Sequence, residues 1–139
     1  MTYDCLLLKN QLCFPLYAAS REILRKYTPL LKELDLTYTQ YIVMMVLWEE
    51  KKLTVGDLGK KLFLDTGTLS PLLKSMEKKM LLRRTRDCVD ERIVMVDITE
   101  EGEALKEKAV SIPEKMGGCL ALSEDEAKTL YSLLYKILK

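Results

Sequence analysis

The stretch LTVGDLGKKLFLDTGTLSPLLKSMEKKMLLRRTRDCVDERIVMVDI, residues Leu53 to Ile98, decides the fold. Thr54 with Asp57 three residues on has the form of a capping box, and Val55, Leu58 and Leu62 follow on one helical face. After Phe63 and Leu64, the short polar run Asp65-Thr66-Gly67-Thr68 supplies capping groups for a second helix. Its apolar positions, Leu69, Leu72, Leu73, Met76 and Met80, keep helical spacing. Leu81 to Arg86 and Arg92 to Ile98 then read as two strands around the polar tip Asp87-Cys88-Val89-Asp90-Glu91. Two short helices followed by a charged hairpin predict a helix-turn-helix with a wing, in a chain that is mostly α with a small β-wing.

The second helix turns Thr66, Thr68, Ser70, Lys74 and Lys78 away from its apolar face. Hydroxyls near the helix start can meet base edges or phosphates, and lysines farther along can meet phosphates. Arg83, Arg84 and Arg86 follow on the outgoing strand, and Arg92 opens the return strand. Any one of these cations is accounted for by solubility; their clustering is not. From Lys60 to Arg86 there are eight basic residues and two acidic ones, a local +6 in a chain of net +1, which leaves −5 for the remainder. Such asymmetry concentrates positive field where a nucleic-acid backbone would lie, and double-stranded DNA is the expected partner.

The chain's 139 residues, 48% hydrophobic and 31% charged, suit one domain with a real core. No apolar run approaches the roughly 20 residues of a membrane span, and Asp4 and Cys5 interrupt the start, so neither signal nor anchor is expected and the setting is cytoplasmic. The four cysteines, Cys5, Cys13, Cys88 and Cys119, are widely spaced without a CxxC, and there is no histidine. That composition removes Ser-His-Asp and Cys-His catalysis and Cys-His zinc sites; no metal or cofactor is expected. Cytosolic thiols stay reduced by default, which leaves these cysteines as structural fillers or sensors.

Helices flank the wing on both sides. Leu12, Leu16, Ala19 and Ile23 predict a helix from about Leu8 to Tyr27, with Pro15 either delaying its start or kinking it beside Cys13, and Tyr27-Thr28-Pro29 marking its end. Thr37 and Gln40 form a capping box for a helix to about Glu50, in which Tyr41, Met44, Met45, Leu47 and Trp48 make a broad apolar surface, read as core. Thr99 caps a helix carrying Leu105, Ala109, Ile112 and Met116, and Ser123 with Glu126 caps a last one with Leu130, Tyr131, Leu134 and Ile137. Terminal helices with apolar faces and too little chain to cover them imply a partner surface. The expected division is residues 1–36 and 100–139 for a homodimer interface and 53–98 for DNA.

Thr54-Val55, Asp65 to Leu73, Asp90-Glu91-Arg92 and Ile98-Thr99-Glu100-Glu101-Gly102 resemble the winged-helix repressors of the MarR family. Asn10 to Ala18, Tyr27 and Thr37-Tyr38-Thr39-Gln40-Tyr41 resemble its organic-hydroperoxide-sensing branch, OhrR. The resemblance implies a two-fold dimer of the terminal helices, a wing-tip Arg92 held by Asp90 in the minor groove, and a peroxidatic Cys13. It also implies that Tyr27 and Tyr38, reached across the dimer, donate hydrogen bonds to the thiolate; phenolic donors stabilise that anion. Tyr17 lies one helical turn from Cys13 on the same face. Organic hydroperoxide is the implied signal, and Cys119 the candidate resolving thiol that traps the sulfenic acid. Three positions depart from the pattern: Met80 where relatives carry glycine, Ser75 where they often carry arginine, and Pro15 close after the reactive cysteine.

Taken alone, Cys13 is a small hydrophobe that packing can explain. If so, DNA release would follow reversible binding of a phenolic or apolar molecule between the dimer helices. A thiol peroxidase is a further reading, but the chain lacks thioredoxin-like alternation of strands and helices and would leave a DNA-reading module unexplained.

Overall fold

Pro15 sets where the first long helix begins. In the computed structural model, which describes residues 3–139, two single turns of 3-10 helix, Asp4–Leu6 and Leu8–Asn10, precede α1, Cys13–Lys32. Pro15 therefore lies in the first turn, where its missing N–H has no partner to lose, and the helix starts late without a kink at Cys13. The expected end at Tyr27-Thr28-Pro29 is wrong: α1 runs through Pro29 to Lys32. An interior proline costs about 3 kcal/mol, and burying a leucine returns about 1.5 to 3 kcal/mol. Leu31, Leu34 and Leu36 are all buried just beyond it, so packing wins.

Asp35, left-handed at φ 55°, turns the chain into α2, Tyr38–Glu50. The Thr37–Gln40 capping box is complete: Gln40 N–H donates to Thr37 Oγ1 at 3.3 Å and Thr37 N–H to Gln40 Oε1 at 3.1 Å. Tyr41, Val43, Met44, Leu47 and Trp48 are buried in the core, but Met45 is 45% exposed and does not belong to it. A third strand, absent from the sequence reading, follows as β1, Lys52–Thr54.

α3, Val55–Leu62, starts at Thr54, whose Oγ1 accepts the Asp57 N–H at 3.0 Å; only this half of the expected box forms. Left-handed Phe63 reverses the chain, and a Cβ on Gly59 would lie 2.6 Å from the Leu64 carbonyl oxygen. α4, Thr66–Lys78, begins at Asp65, whose carboxylate accepts the Thr68 N–H at 2.7 Å. Leu69, Leu73 and Met76 are buried beneath it. Met80, expected on that face, instead sits past the helix end at φ 65° and 61% exposed.

β2, Leu82–Arg86, and β3, Val94–Ile98, complete an antiparallel sheet ordered β1-β3-β2, with Leu53 opposite Val96 and Leu82 opposite Ile98. The return strand starts at Val94 rather than Arg92, because Ile93 N–H closes a turn on the Asp90 carbonyl at 3.0 Å. At the wing's base Thr99 Oγ1 donates to the Met80 carbonyl at 2.5 Å and accepts Gly102 N–H at 3.0 Å, while the Trp48 indole donates to the Gly102 carbonyl at 2.9 Å. No Cβ fits at Gly102, which lies against the Leu81 carbonyl.

The single helix expected after Thr99 is three: α5, Glu100–Ala104, α6, Lys106–Ala109, and α7, Ile112–Gly117. Lys108 N–H reaches the Leu105 carbonyl three residues back at 3.1 Å, a tightened turn where the first break falls. α8, Glu124–Leu138, opens on the full Ser123–Glu126 box and has no buried residue. Leu6, Leu12 and Phe14 at one end of the chain, and Tyr131, Leu133 and Ile137 at the other, stand exposed. Among the described residues, no helix is long and apolar enough to cross a membrane.

Candidate nucleic-acid interface and thiol site

α4 presents Thr66, Thr68, Ser70, Lys74 and Lys78 to solvent, opposite Leu69, Leu73 and Met76. Thr66 and Ser70 face the wing across a groove of about 400 Å³ that Thr54, Gly56, Arg84, Arg92 and Val94 also line. One helix face and one wing thus converge on the same side of the molecule.

The wing tip is built around two aspartates. Asp87 Oδ2 accepts the Val89 and Asp90 N–H groups at 3.2 and 3.1 Å, which closes the turn. Asp90 accepts the Arg92 backbone N–H at 3.0 Å and two guanidinium N–H groups at 3.1 Å each. Those bonds, the side-chain ones first, hold the Asp90 carboxyl below its ordinary value. The Arg92 side chain is 91% exposed, a cation displayed on a tether. Arg86 donates to the Glu91 carbonyl at 2.8 Å and keeps its charge unpaired, as do Lys74 and Lys78 among the described residues.

Arg84 has a different setting. Its backbone N–H donates to Glu77 Oε2 at 2.9 Å and its guanidinium to Glu77 Oε1 at 3.2 and 3.3 Å. The pair ties β2 to α4, and sequence reasoning missed Glu77 because its partner lies seven residues on, across a turn. Ser75, though exposed, is engaged within the chain, its hydroxyl accepting from Gln40 Nε2 at 3.3 Å.

Cys13 is the exposed first residue of α1. Tyr17 stands one turn along, 59% exposed, with the Arg21 guanidinium 5.6 Å from its ring centroid and donating to its hydroxyl at 3.4 Å. Tyr27 is on the same helix but fourteen residues away, about 21 Å at 1.5 Å per residue, so it cannot reach Cys13 of its own chain. Tyr27, Tyr38 and Tyr41 instead form one aromatic cluster, with centroids 4.8, 5.9 and 6.2 Å apart. Burial pushes all three phenols up, each further raised by a neighbouring tyrosine, so they remain protonated donors. Among the described residues none of the three hydroxyls has a hydrogen-bond partner. Tyr41, read from sequence as core, belongs to this cluster; its place one turn after Tyr38 was the available signal.

Cys119 lies in the turn between α7 and α8. Its Sγ is 3.3 Å from the Lys115 carbonyl, and all four cysteines are free and exposed. Among the described residues there is no grouping of Cys, Asp or Glu that could hold a metal.

These features define a winged-helix regulator. A family model for the transcriptional regulators SarA/Rot matches residues 25–109. The organic hydroperoxide resistance transcriptional regulator of Bacillus subtilis is 48% identical over 137 residues, covering 99% of this chain and 93% of that protein. AbfR of Staphylococcus epidermidis, reduced and bound to DNA, superposes with a TM-score of 0.82 at 33% identity, covering 99% of this chain and 96% of that one. Its disulfide form superposes with 0.68 at 34% identity, covering 95% and 93%. The chain belongs to the MarR-type winged-helix transcriptional regulators, in the organic-hydroperoxide branch.

Proposed function

We propose that this protein is a cytoplasmic homodimeric repressor that holds a palindromic operator through α4 and the wing, and releases it when an organic hydroperoxide oxidises Cys13. The observation that carries the reading is the separation within one helix: an exposed Cys13 and, about 21 Å along α1, phenols with no partner of their own. An antiparallel two-fold pairing of the chain ends brings Cys13 to Tyr27 and Tyr38 of the partner subunit. The uncovered apolar residues of segments 1–36 and 100–139 are the surface for that pairing, as in a domain core cut in half. Residues 53–98 then form the DNA-binding module.

The chemistry balances without a cofactor. The Cys13 thiolate attacks the distal peroxide oxygen, the O–O bond breaks, and the alkoxide leaves and takes a proton to become the alcohol; Cys13 becomes a sulfenic acid. A second thiol, for which Cys119 is the candidate, displaces water from that sulfenic acid and forms a disulfide. The thiol is spent once per signal, which separates the protein from a thiol peroxidase, and its relatives are regulators. AbfR has been solved both reduced on DNA and with a disulfide formed, which supports a thiol switch in this branch. Operator gel shifts with and without cumene hydroperoxide, repeated with Cys13→Ser, test the reading: wild type should release and the variant should not.

A further inference from the structure

The corner that carries Tyr38 is bonded directly to the far end of α4, at a place used neither for DNA nor for thiol chemistry. Lys79 is the first residue past α4. Its ammonium donates to the Asp35 carbonyl at 2.5 Å and to Gln40 Oε1 at 3.1 Å, and lies 3.7 Å from the Asp35 carboxylate. Gln40, buried, has its whole amide engaged: Oε1 also accepts the Thr37 N–H, and Nε2 donates to Ser75 of α4 at 3.3 Å. Tyr38 lies between Asp35 and Gln40 in sequence and packs against Tyr27, ring centroids 4.8 Å apart and tilted by 50°.

Apart from the Glu77–Arg84 pair, which ties α4 to the wing, α4 packs through Leu69, Leu73 and Met76, and apolar burial is non-directional, so it permits sliding against α2. Charge-assisted hydrogen bonds are short and directional. Two from the Lys79 ammonium, with its 3.7 Å ion pair to the Asp35 carboxylate and the neutral Gln40–Ser75 hydrogen bond, fasten residues 35–40 to the end of α4. A 13-residue helix is about 20 Å long, so a shift of an ångström or two at its C-terminal end is enlarged at the N-terminal turn that would read bases.

We propose that Lys79 and Gln40 are the positioning residues through which a displacement at Tyr38 is delivered to α4, so that oxidation of Cys13 turns the reading helix. This rests on the redox reading above. The test measures operator Kd by fluorescence anisotropy for reduced and cumene-hydroperoxide-treated wild type, Lys79→Met and Lys79→Arg, with loss of the Cys13 thiol followed by mass spectrometry and folding by thermal melts. Lys79→Met should lose the thiol at the wild-type rate and bind reduced operator within about twofold of wild type, yet its oxidised-to-reduced Kd ratio should fall about tenfold. Lys79→Arg, which keeps a charged donor, should restore the ratio. A wild-type ratio in Lys79→Met, or equal weakening of both states, would make Lys79 a static clamp and overturn the inference alone. Wild type that keeps its operator after Cys13 is oxidised would instead overturn the redox reading, and the inference with it.

Discussion

Glu77 of α4 accepts three hydrogen bonds from Arg84 of β2, one from its backbone N–H at 2.9 Å and two from its guanidinium at 3.2 and 3.3 Å. The pair ties α4 to the wing. It also leaves a pH signature, because the Arg84 N–H, and then its guanidinium, hold the Glu77 carboxyl below the ordinary 4.5. A carboxyl lowered on folding contributes stability that is present above its unfolded value and lost as pH falls through the lower folded value. Wild type should therefore lose melting temperature below about pH 4.5 more steeply than Glu77→Gln. Parallel pH profiles for the two proteins would show that the pair contributes nothing.

Because Arg84 is engaged, the phosphate contacts should fall to Lys74 and Arg86, whose charges have no carboxylate partner among the described residues. Lys74→Ala and Arg86→Ala should weaken binding on all sequences, each lowering the slope of log Kd against log salt by about 1. Arg84→Ala should leave that slope nearer the wild-type value while disturbing the wing. An unchanged slope in Lys74→Ala and Arg86→Ala would remove both from the phosphate-contacting set.

Asp90 gives Arg92 a fixed exit from the wing tip, and a narrow A·T-rich minor groove attracts such an arginine through its enhanced negative potential. Arg92→Ala should weaken binding most on operators with A·T-rich flanks, and Asp90→Asn should do so less, since the charge remains and only its tether loosens. Equal losses on A·T-rich and G·C-rich flanks would contradict insertion into the groove.

Met80 shows where sequence periodicity stops being informative. Its spacing continues the apolar face of α4, but the chain needs a left-handed residue to turn into β2, and the Thr99 hydroxyl captures its carbonyl there. A left-handed non-glycine residue costs about 1 kcal/mol, so Met80→Gly should raise stability by up to about that amount in urea titrations, offset by glycine's greater freedom when unfolded. A loss of stability would mean that the Met80 side chain packs more than its exposure indicates.

The elements with chemical punctuation were legible: Thr37–Gln40, Asp65 and Ser123–Glu126 each mark a helix start that the structure keeps. What failed had no local mark. β1 is three residues long and exists only because Leu53 pairs with Val96, more than forty residues away. Proline rules ended α1 early because the burial of Leu31 that carries the helix through Pro29 is a tertiary fact. At the candidate site, the family resemblance pointed to Cys13, Tyr27 and Tyr38, whereas the Glu77–Arg84 pair and the bonds of Gln40 to Ser75 and Lys79 join partners that only the fold supplies.

The switch itself separates the roles of two thiols. Cys13→Ser should bind operator normally and stay bound under hydroperoxide, because a serine hydroxyl is not deprotonated near neutral pH and cannot attack the peroxide. Cys119→Ala should still react, stopping at a sulfenic acid or a mixed disulfide with a small thiol. In wild type, a Cys13 to Cys119 bridge between subunits would tie the start of one α1 to the turn before the other α8, and the attached winged helices would move with them. Two reading helices must stand about 34 to 36 Å apart to meet successive half-sites, so a shift of a few ångströms at the dimer base ends simultaneous contact. Non-reducing gels of the oxidised protein should show a covalent dimer that both single variants lack. A dimer persisting in Cys119→Ala would assign resolution to another cysteine, Cys5 or Cys88, and hydroperoxide release persisting in Cys13→Ser would sink the sensor assignment itself.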